Sequence, residues 1–255
     1  MLLVIDVGNT QTVLGIFDGD RLTRRFRIQT DKRRTSDETG ILLESLFERA
    51  GIDDAIDGAI VSCVVPDSLR SLTRTCRDWF DVEPVVVGPG VRTGMPILAD
   101  NPREVGADRI VNAVAAYDRV GGACVVVDFG TATTFDCISA QGQYLGGVIS
   151  PGYQISADAL FARTSKLPRV ELERPRRVIG RNTVHSMQSG LYWGYVSLVD
   201  GMVRRIREEM DEPDLKVLAT GGLAPVIAEG SATIEEVCED LTLDGLRLLY
   251  LRGIA

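Results

Sequence analysis

Histidine is almost missing from this chain, with His185 the one example among 255 residues. That excludes histidine-rich metal centres and leaves Ser-His-Asp or Cys-His machinery a poor fit, so a general base has to be a carboxylate. Positive charge is also short, the formal net charge being -8. General binding to nucleic acid or to an anionic membrane depends on a positive field, and neither partner is expected. No apolar run approaches the length of a membrane span. The start, Met1-Leu2-Leu3-Val4-Ile5-Asp6, carries no basic leader and no cleavage site, which predicts no secretory signal. Cysteine is sparse: Cys63, Cys76, Cys124, Cys137 and Cys238 are odd in number, scattered, and form no C-x-x-C pair. Reduced core thiols in a cytoplasm are expected, not zinc or disulfide chemistry. A Walker A loop, G-x-x-x-x-G-K-[ST], is absent.

What is present is a repeat. Leu2 to Ile5 runs into Asp6-Val7-Gly8-Asn9-Thr10-Gln11-Thr12, and Val125 to Val127 runs into Asp128-Phe129-Gly130-Thr131-Ala132-Thr133-Thr134. Both copies continue into a second apolar run, Val13 to Phe17 or Phe135 to Ile138, and then a polar turn. Asp128 stands 122 residues after Asp6, and the spacing is expected to slip by one only at that polar turn. Two strand-turn-strand units of one pattern predict a duplicated fold with a ligand held by both copies.

The rest of the first half predicts a third strand at Arg21 to Gln29 and a helix capped by Ser36 or Asp37 and ended by Gly51. A strand at Ala59 to Val65, a helix opening at Pro66 and a strand at Pro84 to Val87 follow, giving a mixed sheet with helices on it. The basic cluster Arg24 to Arg34 lacks interleaved aromatics and reads as a solvated strand and loop. The glycine-rich connection Gly88 to Pro96 has the wrong spacing for a dinucleotide loop. Asn101, Pro102 and Glu104 spell a capping box, predicting one helix from there to about Tyr117 with Gly106 inside it. The second half predicts strands at Ala123 to Phe129, Tyr144 to Ser150 and Lys216 to Thr220. Its helices are expected after Pro151-Gly152, over Thr183 to Met210, and at Thr242 to Leu251. The long helix carries Gly190, Gly194, Ser197 and Gly201 on one face, a track that lets another helix come close.

Phosphate needs backbone N–H groups, small residues and a countercharge. Both Asp-x-Gly turns supply the first two, and their carboxylates suit a cation or its water shell. Duplicated hairpins of this kind resemble the acetate and sugar kinase, Hsp70 and actin superfamily. That resemblance implies an α/β fold of two ribonuclease-H-like domains, here 1–118 and 119–255, with mixed sheets flanked by helices and an ATP cleft between them; the amphipathic last helix, about 242–251, needs a partner for its apolar face and is expected to pack back on the first domain. Five stretches in order tighten the match: Asp6 to Thr10, Asn101 to Arg109, Asp128 to Thr134, Gly146 to Gly152, and Ile179 to Thr183. Together they resemble the type III pantothenate kinase family.

The resemblance implies ATP bound by Asp6, Val7, Gly8, Asn9, Thr10, Gln11, Thr12, Val13 and Thr131. Pantothenate would meet Gly106, Ala107, Asp108, Arg109 and Thr183, with Asp108 as the catalytic base. Asp128 would hold a monovalent cation, potassium or ammonium, and magnesium would accompany ATP. A cytoplasmic homodimer feeding coenzyme A biosynthesis is implied. Ala99 stands where many members carry a Tyr that contacts substrate. Two other readings remain: a noncatalytic nucleotide-binding regulatory relative, and a kinase of another small alcohol.

Overall fold

The computed structural model describes residues 1–88 and 93–253; part of the Gly88 to Pro96 connection therefore lies outside the described residues. Two compact units emerge. One gathers Met1–Met95, Ala99–Ala115 and the chain from Thr242 on; the other gathers Pro96–Leu98 and Ala116–Leu241.

In the first unit, β1 (Leu2–Val7), β2 (Gln11–Asp18), β3 (Arg21–Gln29), β4 (Gly58–Cys63) and β5 (Val85–Val87) lie in the order β3-β2-β1-β4-β5. The first three are antiparallel, and β4 and β5 join in parallel. Alternation along the strands sends Leu3, Ile5, Val7, Leu14, Ile16, Ala59 and Val61 into one core, closed by Leu43 and Phe47 of α1 (Ser36–Ala50) and Leu72 and Cys76 of α2 (Pro66–Phe80). On the opposite face Gly15 leaves room for Val4 and Leu243, so α7 (Leu241–Leu251) lies there, with Tyr250 over Gly58. Thr242 donates to the Asn112 side-chain oxygen at 2.7 Å, which ties α7 to α3 (Ala107–Val120).

The second unit repeats the plan. β6 (Cys124–Phe129), β7 (Ala132–Ile138), β8 (Tyr144–Pro151), β9 (Lys216–Gly221) and β10 (Glu236–Val237) lie in the order β10-β9-β6-β7-β8. This is the first sheet's order with the same antiparallel and parallel pairings. Each sheet even has a register shift at the equivalent place, at Ile16/Phe17 in β2 and Cys137/Ile138 in β7. Val125, Val127, Phe129 and Phe135 pack against Tyr192, Tyr195, Val196, Val199 and Val203 of α5 (Thr183–Met210), with α4 (Tyr153–Ala162) and α6 (Ala224–Ala228) beside it.

Three expectations change. Asp6 pairs with Val13 but Asp128 with Thr134, so the repeat slips by one at the hairpin loop itself. The N-cap of α1 is Thr35, which forms a capping box with Glu38; Ser36 is the first helical residue. The stretch from Asn101 is not one helix. Pro102–Glu104 is a single 3₁₀ turn, Val105 is extended, and α3 starts only at Ala107. The Glu104 carboxylate accepts from the Asn101 side-chain amide, not from its backbone, so the box that would have started an α-helix is not made. A side chain at Gly190 or Gly194 would meet nothing within 4 Å, so the small-residue track of α5 is open at those two positions. The short β10 was not foreseen; two residues carry too little pattern to read.

Candidate active site

The first Asp-x-Gly turn is a three-residue loop, Gly8 to Thr10, closing β1 onto β2. The Gly8 N–H donates to the Gln11 carbonyl at 3.0 Å, so that donor serves the turn. Thr12 is buried, its hydroxyl 2.9 Å from that of Thr30, which in turn donates to the Gly8 carbonyl at 2.8 Å. Val7 is in the core. What the loop presents to solvent is Asn9, Thr10 and Gln11, with Asp6 half-buried at the strand end and Val13 half-buried beyond it. Side chains of Val7 and Thr12 hold the loop and are turned away from solvent.

The second turn is one residue shorter, and the Gly130 N–H donates to the Ala132 carbonyl at 3.1 Å. Thr131 is exposed at its tip. Two glycines pack on this loop from other elements. A side chain at Gly152 would collide with the Gly130 and Thr131 carbonyls, and one at Gly221, whose φ is +89°, would lie 2.7 Å from Asp128 Oδ1. Gly152 was legible only as the start of a helix; its second duty is to let that helix sit on the loop. Asp128 lies in register with Thr220 of β9 as Asp6 lies with Ser62 of β4.

Gly106, Ala107, Asp108 and Arg109 form the start of α3. The Gly106 carbonyl accepts the Ile110 N–H at 3.3 Å, placing Gly106 at the helix cap. Its missing side chain matters because the Asp108 carboxylate occupies that space. Asp108 Oδ1 accepts the Arg109 N–H at 2.9 Å. Burial pushes the Asp108 carboxyl above the usual value of 3.8, while that N–H and the Arg109 charge pull the other way and only partly offset it. An acid in the first helical turn is also favoured by the helix dipole. The result is a half-buried carboxylate that binds a proton more readily than an ordinary Asp, at the accessible end of an otherwise buried helix.

Thr183 stands apart from the other site candidates of its unit. It lines an open groove of about 730 Å³ with Leu160, Leu167, Arg181, Met187 and Leu191, and neither Asp128 nor Thr131 reaches that groove. Asn182 caps α5 by accepting the His185 N–H at 2.8 Å, and Gly180 lies against the Ser186 backbone where any side chain would clash. This explains the Ile179-Gly180-Arg181-Asn182-Thr183 pattern as the turn that seats the chain on α5. Leu160, Phe161, Val178, Ile179 and Val184 are exposed around it, Ile179 by 82%.

Among the described residues no group of three or more His, Cys, Asp or Glu side chains could hold a metal. The described cysteines are free thiols. Burial pushes Cys76 and Cys124 up to about 12, so neither is a nucleophile near neutral pH. Among the described residues no helix is long and apolar enough to cross a membrane.

The architecture of two such sheets is shared with the (R)-2-hydroxyglutaryl-CoA dehydratase component A of Acidaminococcus fermentans, at a TM-score of 0.55 and 12% identity over 99% of this chain and 98% of that one. It is also shared with an inorganic polyphosphate/ATP-glucomannokinase from Arthrobacter sp. strain KM, at 0.51 and 15% over 98% of each. This is the fold class of the sugar kinases, Hsp70 and actin. Within it the relationship is close. The family profile described as type III pantothenate kinase matches residues 2–205, and the type III pantothenate kinase of Pelobacter propionicus is 60% identical over 99% of this chain and 100% of its own. The chain belongs to the type III pantothenate kinase family.

Proposed function

We propose that the protein transfers the γ-phosphoryl group of ATP to pantothenate, giving 4'-phosphopantothenate and ADP, the first step of coenzyme A biosynthesis. The observation that carries this is Asp108: a half-buried carboxylate of raised basicity, seated beside Arg109 on the Gly106–Arg109 turn. Phosphoryl transfer asks for positioning and charge stabilisation more than for covalent chemistry. Asp108 accepts the proton of the attacking pantothenate hydroxyl as its oxygen bonds to the γ-phosphorus and the bond to the β-phosphate oxygen breaks. Arg109 offers a fork of donors to the substrate carboxylate or the transferring group. Gly106, Ala107 and Thr183 complete the pantothenate contacts.

Residues Asp6 to Val13, together with Thr131, bind ATP, the exposed Asn9, Thr10 and Gln11 through side chains and the rest through the main chain. Asp6 suits magnesium, which is normally held by one or two carboxylates together with substrate phosphates; when bound it would neutralise phosphate charge. Asp128 would hold a potassium or ammonium ion, its carboxylate supplying the negative charge. The exposed apolar side chains of Val178, Ile179 and Val184 and the open positions Gly190 and Gly194 of α5 support a homodimer.

The test is ADP release by the purified protein with ATP and one acceptor at a time: pantothenate, glucose, mannose, N-acetylglucosamine, glycerol or acetate. The reading expects release with pantothenate far above the rest. Preference for another acceptor, or none at all, contradicts it.

A further inference from the structure

The Ser62 hydroxyl is an orphan. Its residue is 0% exposed, and the oxygen has no hydrogen-bond partner. A buried hydroxyl that has lost water and gained nothing is a standing cost to the fold. Its place is specific. Ser62 is the only polar side chain in β4, whose sequence is Gly-Ala-Ile-Val-Ser-Cys apart from its terminal thiol. It lies in parallel register with Asp6 of β1. Neighbours in register on parallel strands project to one face, and Leu3, Ile5, Val7, Ala59 and Val61 occupy the other. Ser62 and Asp6 therefore share the face turned away from that core, near the carboxyl ends of adjacent strands, the end at which open α/β sheets bind ligands.

The second sheet repeats the pairing. Asp128 is in parallel register with Thr220, so in each unit the strand-end carboxylate has a hydroxyl residue beside it on the next strand. The positions flanking them along the strands, Val61 and Cys63 in β4 and Ala219 and Gly221 in β9, are apolar or small.

We propose that Ser62 is a positioning residue for the nucleotide's divalent cation: in the nucleotide-bound protein its hydroxyl turns to donate a hydrogen bond to the Asp6 carboxylate and fixes that side chain toward the cation. The proposal rests on the reading of Asp6 as part of the nucleotide site. It explains why an unpartnered hydroxyl is tolerated in a strand that otherwise buries only apolar groups: its partner arrives with the ligand.

Thermal unfolding and isothermal titration with ADP, each with and without magnesium, test this on the wild type, Ser62→Ala, Asp6→Asn and the double variant. Ser62→Ala should unfold at the wild-type temperature or above it, because an unpaired hydroxyl is removed. Its affinity for ADP with magnesium should fall about tenfold while its affinity for ADP alone stays put. In the Asp6→Asn background the Ser62 change should cost nothing further. Three results overturn the proposal: unchanged affinity for ADP with magnesium, an equal loss with and without magnesium, or the full loss persisting in the Asp6→Asn background. A wild-type protein that binds no ADP under either condition overturns the nucleotide reading itself, and the proposal with it.

Discussion

The proposed base Asp108 can accept a proton only when ionised, and burial makes it harder to ionise than a free Asp. The sign is therefore fixed: activity rises with pH as Asp108 loses its proton, and the acid limb of kcat/KM lies above the ordinary carboxyl value of 3.8. A profile of kcat/KM from pH 4 to 8 checks this, and an acid limb at or below the ordinary value would show that another group sets it. Asp128 carries a separate prediction. Replacing sodium by potassium or ammonium at fixed ionic strength should raise turnover, and Asp128→Ala should flatten that response. Of these residues the chain's own pattern gave the carboxylates and the small neighbours. It could not give which donors are already spent, as the Gly8 and Gly130 N–H groups are. Nor could it show that Thr12 is tied to Thr30, since such bonds join residues from different strands.

The elements were legible where period and punctuation agree. The α5 span and all of β3 follow from apolar spacing and flanking turns. The stretch from Asn101 misled because Asn, Pro and Glu are right for a helix start, yet Val105 is extended and Gly106 is occupied as the cap of α3. Long-range side-chain ties were likewise out of reach of a local pattern. Asp200 on α5 is one: it is 8% exposed and accepts from the hydroxyls of Ser231 at 2.6 Å and Thr233 at 2.8 Å, and from the Ala232 N–H. Burial pushes its carboxyl up, but these hydrogen bonds outweigh burial and hold it below the usual value. A depressed carboxyl stabilises the fold above its unfolded pKa, near 3.9, and that contribution drains away as pH falls through the lower folded value. Asp200→Asn should therefore cost about 2 kcal/mol at neutral pH. The deficit should shrink below about pH 3.9. Urea melts at pH 7 and pH 3 measure it, and a deficit that does not shrink would assign the effect to packing.

For the whole molecule, the duplicated hairpin announced two like units, and the sheets agree in strand order, pairing and the place of their register shifts. What the sequence could not decide was the neighbour of the α5 glycine track, because a small-residue face suits any close partner. A Cβ at Gly194 would meet nothing within 4 Å, and a leucine there replaces a poor helix former. In the proposed homodimer Gly194→Leu should keep or raise protomer stability while light scattering shows a shift from dimer to monomer; a dimer of wild-type mass and full activity would exclude contact at that position. The central claim remains the transfer itself, and ³¹P NMR of ATP with pantothenate, run on the wild type and on Asp108→Asn, reads it directly. The wild type should convert the γ-phosphate signal into a phosphate monoester on pantothenate. Asp108→Asn should do so about 10² to 10⁴ times more slowly while still binding ADP. Release of inorganic phosphate without the monoester, or a variant as fast as the wild type, would contradict the account.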